Sequence, residues 1–200
     1  MSNKSLAIAT PVGSFKGAFA HGVLSGLEQC GIQADAYAAA SSSVIPATWA
    51  TLGQATALGT DYWIAGWEAL QLPNQNMSKV MQRGIRAFSR SLKPTLFDIT
   101  TPTLCIATNQ VITTEAIELT QTDRAKDLGK QLMLSSARHD RSWVDQHLKF
   151  ALFSTRSQNL QRQITVNNYP AVAYASSRIM HAWDLPAAIR SEERRVGKEC

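Results

Sequence analysis

Three consecutive serines separate a short apolar run from a second apolar segment of the chain. The run Ala36–Ala40 predicts a buried strand, and the segment Val44–Leu52 predicts a helix. A serine on a sharp strand-to-helix turn projects from the end of a sheet, where its hydroxyl can attack an ester carbonyl. Such a turn needs small residues two positions away on either side. Ala39 and Ser43 are small, so Ser41 takes the central position. Serines are also good helix N-caps, and capping is the simpler explanation of this segment taken alone.

A loop with the sequence Gly13-Ser14-Phe15-Lys16-Gly17 separates the predicted strand Leu6–Val12 from the predicted helix Ala18–Cys30. Backbone N–H groups at the start of a helix can hold an anion, either a phosphate or the oxyanion of ester hydrolysis. The spacing is not that of a P-loop. An ordinary strand-to-helix turn explains so short a motif more simply. Lys16 could attract an anionic headgroup, but it fits a solvated loop lysine at least as well.

The predicted elements of the first fifty residues run strand, loop, helix, strand, tight turn, helix. This order is typical of a parallel sheet with crossover helices and predicts an α/β fold. The remaining expectations are helices at Thr60–Leu70, Ser78–Ser89, within Thr120–Arg141 and at Tyr174–Met180, and strands at Leu104–Thr108, Ala116–Leu119 and Gln163–Val166.

Two further segments carry a resemblance to a known family. The span Lys16–Ile32, with its Gly-Val-Leu, Leu-Glu and Gly-Ile groups, resembles the oxyanion loop and first helix of the patatin-like lipid acyl hydrolases. That family places its G-x-S-x-G nucleophile elbow shortly afterwards, where Asp35–Ala47 stands here. Later, Ala175–Pro186 resembles the A-S-S-A-x-P…P segment that leads to the family's catalytic aspartate.

The resemblance implies a central, mainly parallel sheet flanked by helices, with a nucleophile elbow. It implies that Ser41 is the nucleophile of a Ser–Asp dyad that hydrolyses phospholipid or other lipid acyl esters. The oxyanion hole would be formed by Gly13, Ser14, Lys16 and Gly17. The family's dyad contains no histidine, and the implied reaction needs neither a metal nor another cofactor.

The chain departs from the family pattern at its glycines. Only Gly13 remains of the family's glycine-rich oxyanion stretch, and Ala39 and Ser43 stand where the elbow glycines are expected. These changes favour an alternative, a catalytically impaired relative that binds lipid or a protein partner.

The aspartate is the second departure. No Asp-Gly pair occurs in the sequence, and Asp184 precedes Pro186, whereas the family's aspartate follows the corresponding proline. We expect residues 1–189 to form a patatin-like domain that is incomplete at its C-terminus. The highly charged residues 190–200 are expected to be a non-native tail.

The net charge of +5 invites a nucleic-acid function. The basic residues are scattered, with local groups at 79–90 and 124–130, and no recognition motif accompanies them. A mildly basic surface also suits an anionic membrane. A basic phosphate- or nucleotide-binding domain would use the Gly13–Gly17 loop but would leave the serine turn unexplained. No apolar run approaches the ~20 residues of a membrane span, so we expect a cytoplasmic protein that could associate peripherally with membranes.

Five other residues have structural explanations. The cysteines are too widely spaced for a disulfide framework or a zinc site, and Cys30 and Cys105 are expected to be buried thiols. His21 is expected to be structural. Trp63 and Trp67 are expected to pack against the core, the alternative being an amphipathic face that contacts lipid.

Overall fold

The computed structural model describes residues 5–10, 13, 16–92, 94–122, 124–178 and 187–189. Ser14, Asp184, Pro186 and the expected tail 190–200 lie outside these described residues.

A four-stranded mixed sheet forms the centre of the fold. Its order is β1-β2-β3-β4, with β1 parallel to β2, β2 parallel to β3, and β3 antiparallel to β4. The strands are β1 Ala7–Thr10, β2 Ala36–Ala39, β3 Thr103–Val111 and β4 Leu148–Ser154. The expected α/β class and mainly parallel sheet are confirmed at this level.

Helices flank the sheet and make the crossovers between its parallel strands. They are α1 Gly17–Gln29, α2 Val44–Thr51, α3 Ala55–Leu58, α4 Asp61–Gln71, α5 Met77–Arg90, α6 Thr114–Gln121, α7 Ala125–Ala137, α8 Ser142–His147 and α9 Tyr169–Ser177. All eight residues of α2 are buried, as expected for a helix that is apolar on all sides. No helix in the described ranges has both the length and the apolar character needed to cross a membrane.

The core lies where α2 and α9 meet β3. Leu104 and Ile106 alternate inward along β3 and are fully buried, which is the period-two pattern of a strand. Tyr169 of α9 is also fully buried, and its hydroxyl lies 2.9 Å from Thr48 Oγ1 of α2. Because the Thr48 hydroxyl donates to the Val44 carbonyl oxygen at 2.8 Å, the tyrosine is the donor of this bond. Burial raises the pKa of Tyr169.

Several element predictions were wrong. Ala116–Leu119 lies in α6 and not in a strand, because the Thr113 side chain accepts from the Ala116 N–H and caps a helix there. Gln163–Val166 contributes one isolated bridge and no strand. The helix predicted at Tyr174–Met180 occupies Tyr169–Ser177 instead. Strand β4 was not predicted.

Candidate active site

The serine turn and the glycine loop leave the same edge of the sheet. Strands β1 and β2 are parallel, and Thr10, the last residue of β1, lies opposite Ala39, the last residue of β2. The loop that contains Gly13 follows β1, and Ser41 follows β2. In open α/β sheets, ligands bind outside the carboxyl ends of the strands. The topology therefore brings both motifs to the usual ligand-binding edge.

Ser41 has a left-handed backbone, with φ +58°. In the described ranges, only Asn74 and His139 share a positive φ among the non-glycine residues. Asparagine and histidine are enriched in this region of backbone space, but serine is not. A conformation of this kind costs on the order of 1–3 kcal/mol and persists only where the surroundings enforce it. Ser41 is therefore held in a strained turn at the end of a buried strand.

Two serines of α9 enforce that conformation. Ser176 Oγ accepts from the Ser41 N–H at 3.0 Å and donates to the Ala107 carbonyl oxygen of β3 at 2.7 Å. Ser177 Oγ lies 3.1 Å from the Ser41 carbonyl oxygen and 2.9 Å from that of Ala173, and its one proton serves one of them at a time. The Ser41 N–H is thus fixed from a helix about 135 residues away in sequence, and its carbonyl oxygen shares the Ser177 proton with Ala173 and also accepts from the Val44 N–H.

The three serines do not cap the following helix. Ser41–Ser43 forms a 3₁₀ turn that continues into α2, and no side chain caps either element. Ser43 is fully buried. Ser42 Oγ is a buried oxygen that has no hydrogen-bond partner among the described residues. Helix capping, the simpler explanation from sequence, therefore does not account for this segment.

Gly17 lets the first helix lie against the serine turn. A Cβ at this position would lie 2.7 Å from Ser42 Oγ and 2.7 Å from Trp63 Cη2. Only a residue without a side chain fits this contact. Gly17 is the first residue of α1, so the positive end of that helix dipole lies beside the serines.

The rest of the predicted oxyanion loop is defined in part. The Gly13 carbonyl oxygen accepts from the Lys16 N–H at 2.8 Å. Lys16 is exposed and directly precedes α1. Ser14, the remaining predicted member of the oxyanion hole, lies outside the described residues.

His21 has the structural role expected of it. Its Nε2 lies 2.8 Å from the Ala55 carbonyl oxygen, and its Nδ1 accepts from Trp63 Nε1 at 3.1 Å. Because Nδ1 accepts, Nε2 must carry the ring proton and donate it to Ala55. His21 is buried and both of its ring nitrogens are engaged, so neither is available to activate Ser41.

No base contacts Ser41 in the described part of the chain. The Ser41 side-chain oxygen forms no hydrogen bond with a described carboxylate or imidazole. Across the same ranges, no three His, Cys, Asp or Glu side chains lie close enough together to hold a metal ion. The described residues therefore bring together Ser41, the two serines of α9 that hydrogen-bond to its backbone, and the N-terminus of α1.

A large cavity lies beside this arrangement. It has a volume of about 720 Å³ and is bounded by β3, β4, α6 and α9, with Ala175 and Arg178 of the α9 region among its walls. Ser41 does not line it. Ala175 and Arg178, the residues that flank Ser176 and Ser177 in the sequence, line the cavity, whereas the two serines themselves do not.

Comparison of the chain with protein-family models, with curated proteins and with solved structures finds no match. The interpretation of the site therefore depends on its own geometry.

Some residues that shape the site were not among the predicted site residues. Ser176 and Ser177 were noted only for their resemblance to a family segment, although a Ser-Ser pair at the end of a helix supplies two adjacent hydroxyls.

Trp63 was grouped with Trp67, yet the two differ. Trp63 is half-buried against Gly17 and His21, whereas Trp67 is 58% exposed and its predicted core packing was wrong. Cys30 is likewise exposed and not buried.

Proposed function

We propose that this chain belongs to a serine acyl hydrolase of the patatin-like type, with Ser41 as the nucleophile and a phospholipid or other lipid acyl ester as the substrate. The observation that carries the proposal is the left-handed backbone of Ser41, with φ +58°, at the first residue of the 3₁₀ turn between β2 and α2. A nucleophile elbow needs this strained strand-to-helix turn, because it presents the serine hydroxyl above the sheet.

The oxyanion hole is proposed at the N–H groups around this turn. Ser42 follows the nucleophile at the start of a 3₁₀ turn, where N–H groups have no partner within the helix. The loop of Gly13, Ser14, Lys16 and Gly17 follows the adjacent strand and would supply the second donor. Helix N-termini stabilise the negative charge that develops on a tetrahedral intermediate. Ala39 and Ser43 are the small residues that allow strand and helix to approach in place of the elbow glycines.

The base is the element that these residues do not supply. The resemblance implies an aspartate after Pro186, and the 200 residues contain no Asp-Gly pair. A serine without a base is a weak nucleophile. We therefore expect the 200-residue chain to hydrolyse esters little faster than water does, while Ser41 remains the serine best placed to be acylated.

A second candidate is a relative that binds lipid or a protein partner without catalysis. It is favoured by the absence of any described base at Ser41 and by the retention of only Gly13 from the family's oxyanion glycines. Under this candidate the strained turn would be a remnant of the fold without chemical use.

An acylation experiment separates the two candidates. The chain is incubated with the p-nitrophenyl ester of a medium-chain fatty acid, and the acylated peptide is identified by mass spectrometry. If Ser41 is a nucleophile, an acyl group accumulates on it, since no described residue supplies the base needed for release. Ser41→Ala abolishes this adduct, and Ser42→Ala, its neighbour on the same turn, serves as the matched control. A folded protein that is acylated nowhere, or equally on many serines, would favour the binding candidate. Rapid Ser41-dependent turnover by the 200-residue chain would contradict the expectation of little hydrolysis.

A further inference from the structure

Helix α5 presents a stripe of four cations to solvent. Lys79, Arg83, Arg86 and Arg90 are all exposed, and their spacing of four, three and four residues places them on one helix face. The stripe spans about 16 Å at 1.5 Å per residue. Ile85 on the opposite face is buried in the core. The orientation of the stripe toward solvent is therefore fixed by packing.

The charge of this stripe is not neutralised within the described part of the chain. Helix α5 contains no acidic residue. The ion pairs of the described residues involve Asp127 and Asp145, which lie on α7 and α8. Asp61 and Glu68 of α4, the helix packed beside α5, form no ion pair with the stripe. Lys79 Nζ donates to the Asn74 carbonyl oxygen at 3.0 Å, which leaves its positive charge in place.

The neighbouring helix exposes apolar side chains. Ile64 and Trp67, one turn apart on α4, are 51% and 58% exposed, and Leu72 directly after the helix is 55% exposed. Helix α4 packs against α5, and the two together expose cationic, tryptophan and aliphatic side chains, a composition typical of helices that lie in the headgroup region of a membrane.

We propose that the basic face of α5 is a docking surface for an anionic lipid bilayer. Each lysine or arginine near such a surface contributes roughly 1 kcal/mol, or about fivefold in partitioning. A nucleic-acid backbone would also attract four cations. The exposed apolar residues of α4 favour the bilayer, because a phosphate backbone offers them no apolar phase. This inference stands on the charges of α5 and does not depend on hydrolysis by Ser41.

The test is sedimentation of the chain with vesicles of phosphatidylcholine, with and without phosphatidylglycerol. The Ser41→Ala variant is used throughout, so that binding is scored without chemistry. We expect binding only to the vesicles that contain phosphatidylglycerol, and weaker binding as salt screens the charges. Replacing all four cations of the stripe by glutamine is expected to weaken partitioning on the order of several hundredfold.

The matched control removes four other exposed cations and changes the net charge equally. It carries K126Q, K130Q, R138Q and K149Q, on and beyond α7. We expect this control to retain most of the binding, and circular dichroism is used to check that both variants are folded. Equal loss in the two variants would overturn the proposal, since total charge alone would then explain binding. Absence of vesicle binding by the folded chain, or binding to an RNA or DNA oligonucleotide in its place, would also overturn it.

Discussion

Replacing the candidate nucleophile by glycine should stabilise the protein. Ser41 is left-handed, with φ +58°, and this conformation costs an L-residue roughly 1–2 kcal/mol. Glycine adopts it freely but loses roughly 0.5–1 kcal/mol more conformational entropy on folding. The Ser41 side-chain oxygen forms no hydrogen bond with another described residue. Removing it therefore lowers the free energy of unfolding little. We therefore expect Ser41→Gly to raise the free energy of unfolding by about 0.5–1 kcal/mol.

The assay is urea unfolding followed by tryptophan fluorescence, with the slope of the transition checked for constancy. Ala40→Gly is the control, because Ala40 is extended, with φ −143°, and glycine there should cost about 0.5–1 kcal/mol. Ser41→Ala should change stability little, since alanine keeps the strain. If Ser41→Gly destabilises the protein as much as Ala40→Gly does, the backbone of Ser41 is not strained and the interpretation of the turn is wrong.

Two further predictions concern the surroundings of the turn. Gly17→Ala should destabilise the protein by about 1–3 kcal/mol through overpacking, because its methyl group would lie 2.7 Å from Ser42 and Trp63. Gly22→Ala on the same helix, with nothing within 4 Å, should stabilise it by up to about 1 kcal/mol, and equal effects in urea unfolding would contradict the close contact. Burial raises the pKa of Tyr62 from 10.0 to about 12. Above pH 10 the unfolded state therefore loses a proton that the folded state keeps. We expect the free energy of unfolding to fall between about pH 10 and pH 12 by roughly 2–3 kcal/mol. Tyr62→Phe should remove that part of the alkaline loss in urea titrations, and an unchanged pH dependence would refute the assignment.

The frame of the site could be predicted from local patterns. The alternation of apolar runs and helical spacing over the first fifty residues gave two adjacent parallel strands and their helices correctly. It therefore also gave the position of Ser41 at the end of β2. The backbone angle of Ser41 could not be predicted, because no glycine at Ala39 or Ser43 signals a strained elbow. That angle is imposed by Ser176 and Ser177, which approach only in the folded chain.

The errors elsewhere have similar causes. Ala116–Leu119 has the composition of a strand, but the cap from Thr113 makes it helical. Trp63 and Trp67 have the same side chain and share one helix, yet only Trp63 meets the narrow space left by Gly17. Such outcomes depend on contacts between distant segments of the chain, and the spacing of apolar residues along the sequence does not predict those contacts.

The central claim is that Ser41 is positioned as a nucleophile, and the rate at which a fluorophosphonate probe labels it tests that claim most directly. The 200-residue chain is labelled at several pH values below 10, and the modified peptide is identified by mass spectrometry. We predict that Ser41 is labelled faster than Ser42, Ser43 or any other serine, at a rate that rises with hydroxide concentration because no described residue acts as its base. Urea-unfolded protein should lose this preference. A folded chain in which Ser41 reacts no faster than the other serines would contradict the proposed nucleophile.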